Sequence, residues 1–176
     1  MRKIDDTGLL LAKYQASLFE ITVKELNCSS AYFYKKFAFS KLAQRMDRKA
    51  FILESLDITG AIEELKKEAN YEVGNTKVSE AIMAWIGYLL RYWSYTYEIS
   101  TKQIYKYIKF DELCELYEAY HSLDIEEAIN RINEAHNIKY LGDPDYKMDV
   151  LKKDDLVNII KKALQIMQGL IVYSSV

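Results

Sequence analysis

The residue types that could do chemistry are sparse. Cys114, His121 and Asp124 fall close together and would offer a thiolate with its base and orienting acid, or three ligands for a zinc ion. A simpler reading makes Cys114 a small core residue beside Leu113 and Leu116, with His121 closing a helix. His121 and His136 are the only imidazoles, and the sequence has no paired CxxC, no HExxH and no glycine-rich phosphate loop, so the simpler reading is preferred. The acid pairs Asp5/Asp6, Glu63/Glu64 and Glu126/Glu127 are adjacent in sequence. Adjacent side chains diverge on a helix and suit solvated first turns rather than a two-carboxylate site. A non-enzymatic chain with no cofactor and no metal is therefore expected.

A denser candidate is RYWSYTYEISTKQIYKYI, from Arg91 to Ile108. On a helix, Gly87, Arg91, Ser94 and Glu98 share one polar face, with Arg91 and Glu98 about 10 Å apart along the axis. Tyrosine and arginine are favoured as interface anchors. One reading is a partner-binding rim of Arg91, Tyr95, Glu98, Lys102 and Tyr105, with Lys102 and Tyr105 exposed. The plainer one has Arg91 and Glu98 neutralising neighbours such as Asp111, Glu115 or Lys102. The alternative to a protein partner is a helix-turn-helix whose second helix starts at Ser100. Lys102, Lys106 and Lys109 would then contact phosphates. Against that, Glu98 stands where such a turn normally takes glycine, and the net charge of −2 supplies no attracting field.

These residues need helices to position them. Gly (6) and Pro (1) are scarce, which argues against turn-rich β folds. Asp5, Asp6 or Thr7 can cap a first helix with Leu10, Tyr14, Ala16/Ser17, Ile21 and Leu26 on its apolar face. Ser29 or Ser30 starts a second, with a restart at Ser40. There Phe33 and Phe37 form one face, and Phe39, Leu42 and Met46 another. Asp57 or Thr59 caps a helix bearing Ile62, Leu65 and Ala69, and YEVGNTKVS reads as a loop. Ser79 caps a central helix to Glu98 with two apolar seams, Trp85, Tyr88/Leu89, Tyr92, Tyr95 and Ile86, Leu90, Trp93, Tyr97. A helix apolar on most sides belongs in the middle of a bundle. Capping-box spacing at Ser100/Gln103 and Asp124/Glu127 starts two more helices, and Asp111 another, with Leu113, Leu116 and Tyr117 inward.

The fold expected is all-α: a single bundle of about seven or eight helices around a buried aromatic central helix. Residues 1–137 form its core domain, 138–153 a linker, and 154–176 a C-terminal helix with an apolar tail packed on the core. Half the residues are apolar and 28% charged, a globular composition at a length that buries a full core. Two lone cysteines suit a reducing, cytoplasmic setting. The apolar run after the N-terminus is too short for a signal peptide, and Ala81–Leu90 is too short to span a membrane.

The segments SSAYFYKKFAFSKLAQRMD, FILESLD, WIGYLLRYWSYTYEISTKQIYKYIK and ELCELYEAYHSLDIEEAINRI resemble a family of small bacterial proteins. That family occurs in toxin–antitoxin-like or phage-defence gene neighbourhoods, near an ADP-ribosyltransferase-like partner. The resemblance spans roughly Ser29 to Ile132. Leu90 replaces the family's usual tyrosine before Arg91, and Lys35-Lys36 stand where an arginine pair is usual. The resemblance implies an antitoxin-like module that binds and neutralises the product of a neighbouring gene. It implies no catalytic residues. A homodimer is compatible with it, a membrane is not expected, and nucleic acid is the disfavoured partner.

Overall fold

The computed structural model describes residues 2–48 and 57–138, and every regular element among them is a helix. The expected all-α bundle is what the described residues form. The boundaries follow local chemistry: α1 (Asp6–Glu25), α2 (Ser30–Ala38), α3 (Lys41–Met46), α4 (Ile58–Glu68), α5 (Glu80–Tyr97), α6 (Thr101–Tyr107), α7 (Phe110–Tyr120) and α8 (Ile125–Ala135). Six helices begin with a side chain accepting an orphan backbone N–H: Asp5, Ser29, Ser40, Asp57, Ser79 and Ser100. Asp124 caps α8 the same way, accepting from the Glu126 N–H. α7 starts without a side-chain cap, at Phe110 just after Lys109.

The centre is α5, packed along its length on α1 and touched by α6, α7 and α8. Ile86, Leu89, Leu90 and Trp93 are fully buried on it, while Trp85 and Tyr88 are half-buried. α1 approaches closely because α5 carries Gly87. A Cβ there would lie 2.7 Å from the Gln15 carbonyl oxygen and 2.9 Å from Phe19 Cβ. The Gln15 amide fills the crossing by donating to the Gly87 carbonyl at 3.0 Å.

Two apolar faces differ from expectation. The inward face of α1 is Leu11, Gln15, Leu18, Phe19 and Thr22, whereas Leu10 and Ile21 are exposed. α1 therefore buries a stripe containing two polar residues, each satisfied locally: Gln15 by Gly87, and Thr22 by donating to the Phe19 carbonyl at 2.6 Å. Phe39 does not join Leu42 and Met46 inside. It is the C-cap of α2, and the restart at Ser40 rotates the face, leaving Phe39 46% exposed. Of the proposed linker and C-terminal helix, all but Ile138 lies outside the described residues.

Candidate functional site

The polar stripe on α5 faces inward. Arg91 is 1% exposed and Ser94 is equally buried. The Arg91 guanidinium donates to three other helices: Nε to Gln15 Oε1 on α1 (2.9 Å), Nη1 to the Met46 carbonyl (2.9 Å) and Asp47 Oδ1 (2.8 Å) at the end of α3, and Nη2 to Thr101 Oγ1 on α6 (3.0 Å). Asp47, the C-cap of α3, also accepts from the Thr101 N–H at 3.0 Å and from the Thr101 hydroxyl at 2.7 Å. The ion pair thus closes the start of α6 onto α1, α3 and α5. Neutralisation of Arg91 was expected, but by other acids. Asp47, Gln15 and Thr101 carry no sequence signal of this role, because a buried acid at a helix end has the same sequence signature as a solvated one.

The five-residue rim divides accordingly. Arg91 is interior. Tyr95 is also buried; its hydroxyl donates to Asp5 Oδ1 at 2.6 Å, and the Arg2 guanidinium lies 3.9 Å from its ring centre. Burial, then the Asp5 hydrogen bond, pushes the Tyr95 phenol well above its ordinary range. Glu98 is half-buried, pairs with Arg2 at 3.5 Å, and takes the left-handed conformation (φ 54°, ψ 46°) that ends α5. It occupies the turn position that normally favours glycine. Lys102 and Tyr105 are half-buried rather than exposed, and Lys106 and Lys109 are exposed. Lys106 donates to Gln103 Oε1 at 3.0 Å. An arginine drawn into a buried network cannot also serve the surface, so Arg91 and Tyr95 leave the rim, Glu98 keeps partial exposure beside Arg2, and the α6 half stays partly outward.

That half meets residues from elsewhere. The Tyr105 ring sits 5.2 Å from Tyr34 and 5.4 Å, edge-on, from exposed Phe39. The Lys109 ammonium lies 4.1 Å above the Tyr105 ring and donates to the Tyr105 carbonyl at 2.9 Å. Beside this ridge opens a cleft of about 350 Å³ between α2, α6 and α7, walled by Tyr32, Lys35, Tyr105, Lys109, Phe110 and Asp111. Tyr34 forms its floor, fully buried, with its hydroxyl donating to the Ile108 carbonyl at 3.2 Å. Phe39 carried a readable signal, since it directly precedes the Ser40 cap and so falls where one helix ends.

Cys114 and His121 each sit in a local setting of their own, and Asp124 caps α8. Burial, with Asp111 and Glu115 nearby, pushes the Cys114 thiol up to about 11, so it is not a thiolate near neutral pH. His121 stacks on Tyr117 at 4.6 Å, with Nδ1 2.8 Å from the Tyr117 carbonyl oxygen. Among the described residues no group of three or more His, Cys, Asp or Glu side chains could hold a metal ion, and no helix is long and apolar enough to cross a membrane. No protein-family model, curated protein or solved structure matches the chain.

Proposed function

We propose that this chain is a protein-binding module, the antitoxin-like partner that neutralises a toxin-type enzyme encoded beside it. Its contact surface is the ridge of Phe39 and Tyr105 with Lys102 and the adjoining cleft. The observation that carries the reading is Phe39, a large ring left 46% exposed and set edge-on against a half-buried tyrosine. Exposed apolar groups beside a built cleft mark interaction sites more than isolated surface residues do. Tyrosine-rich anchors then supply most of an interface's affinity.

The test is co-expression with the neighbouring gene's product. Wild type captures that product and suppresses its toxicity. Phe39→Ser loses both while its melting curve shows the chain still folded, the ring being 46% exposed at the C-cap of α2. Undiminished capture by Phe39→Ser removes the ridge from the interface.

A DNA-binding reading has one specific support: the left-handed turn at Glu98 joins α5 to a Ser100-capped helix with Lys106 in its last turn and Lys109 just beyond it. α6 is only seven residues long. A sequence-specific shift at about 150 mM salt, lost with Lys102→Glu and Lys106→Glu, would make that reading the right one.

A further inference from the structure

We infer that the cleft between α2, α6 and α7 takes an acidic segment of a partner protein, with one bulky apolar side chain laid on its aromatic walls; the inference rests on the protein-binding reading above. Three features carry it: shape, rigidity and charge.

The cleft's volume, about 350 Å³, is at the small end of ligand sites and suits a side chain or two rather than a cofactor. Its walls are rings, Tyr32 and Tyr105 with Phe110, and the floor is held from both sides. Tyr34 packs 5.2 Å from Tyr105 and 6.1 Å from Phe110, and its hydroxyl is fixed to the α6–α7 junction at Ile108. A floor tied by a buried hydrogen bond resists collapse, so the space is preformed.

The charge at the rim opposes that of the chain. Lys35 and Lys109 line the cleft, and the Lys36 ammonium lies 5.3 Å above the Tyr32 ring just outside it. The one acid in the lining, Asp111, belongs to the first turn of α7, where it complements the helix dipole. A lysine cluster therefore stands out on a chain of net charge −2. Lys109 is held in place by its ring and by the Tyr105 carbonyl. An ammonium has three N–H donors, so that one bond leaves capacity for an incoming carboxylate. Apolar walls with a lysine rim recognise carboxylates flanking an apolar side chain. A nucleic acid would need phosphate contacts continuing beyond a single cleft.

The experiment uses the full chain and a short fluorescein-labelled peptide of Asp and Glu with a central Phe, followed by anisotropy. Saturable binding that weakens as salt rises is expected. Lys35→Glu with Lys109→Glu should weaken it about tenfold or more, as should Ser in place of the peptide's Phe. Both lysines are exposed, and melting curves confirm folding, with Lys35→Glu alone as the second variant because Lys109 flanks α7. Absence of binding, equal binding by the charge-reversed variants, or displacement of the peptide by a short oligothymidylate overturns the inference. So does a dimer of the chain that Phe39→Ser dissociates, since a second copy would then own the ridge. If the peptide fails while the neighbouring gene's product is still captured through Phe39, this inference falls and the binding function stands. If the peptide binds but capture ignores Phe39, the cleft's chemistry stands and the functional reading falls.

Discussion

Arg91 and Asp47 form an ion pair at 2.8 Å, with side-chain exposures of 1% and 8%. Two charges leave water at a large cost, repaid only if every donor and acceptor is satisfied. Here Gln15, the Met46 carbonyl, Ser94 and Thr101 accept from the guanidinium beside Asp47. The pair is thus a bolt holding α6 to the central helix, which in turn sets the ridge carrying Tyr105.

Removing one partner should cost far more than the pair is worth. Asp47→Ala leaves the Arg91 charge buried and also strips the Thr101 N–H of its acceptor. A loss of about 3–5 kcal/mol is expected in denaturant unfolding. Arg91→Lys should not rescue function, because an ammonium cannot reproduce a guanidinium's fan of fixed donors. A shift under about 1 kcal/mol for Asp47→Ala would show the bolt is not needed.

The close crossing of α1 and α5 gives a second prediction. Gly87→Ala gains about 1 kcal/mol in helix propensity, yet its methyl would meet the Gln15 carbonyl oxygen at 2.7 Å. That neighbour is backbone within a helix and cannot swing aside, so α1 must move outward. A net destabilisation of about 1–3 kcal/mol is expected, and a stabilised Gly87→Ala variant would refute the crossing.

The caps were the most legible part of the chain, because a Ser or Asp before an apolar run acts on N–H groups within its own helix turn. Asp5, Ser29, Ser40, Asp57, Ser79, Ser100 and Asp124 could all be read as starts. Which face turns inward was less legible. On α1 two stripes are apolar enough, and the chosen one depends on Gly87 and Gln15 meeting across the fold. The polar face of α5 misled for the same reason: Arg91 reads as a surface residue until Asp47 arrives from α3. The cleft had no local signature, since Tyr32 and Lys35 come from α2 and Lys109 from the start of α7.

On the acid side, Arg45 grips Glu64 across α3 and α4, with Nη2 2.7 Å from Oε2. That hydrogen bond holds the Glu64 carboxyl below its ordinary value of 4.5, against a smaller opposing effect of burial. A lowered folded-state value means the contribution is present above the ordinary glutamate range and fades as pH falls through the folded value. Glu64→Gln should therefore lower stability by about 0.5–1 kcal/mol at neutral pH, with the gap closing in strong acid. A gap that persists unchanged at about pH 2, below the ordinary carboxyl range, would place the stabilisation in packing instead.

On the alkaline side, Tyr34, Tyr71 and Tyr95 are all held above the ordinary tyrosine range, in each case chiefly by burial. Raised values favour the neutral phenol in the fold. Their stabilisation is fully present below the ordinary value of 10.0 and is lost as pH climbs above it. These three should not ionise in the ordinary tyrosine range in a titration followed at ~295 nm, the phenolate band. They should appear only with the loss of near-UV circular dichroism, as the fold opens. Tyr34→Phe isolates the floor of the cleft. It removes one late-ionising group and leaves the buried Ile108 carbonyl without the Tyr34 donor, at a cost of about 1–3 kcal/mol. If Tyr34→Phe titrates like wild type and melts at the same temperature, the floor is not fixed by that hydrogen bond and the cleft is not preformed.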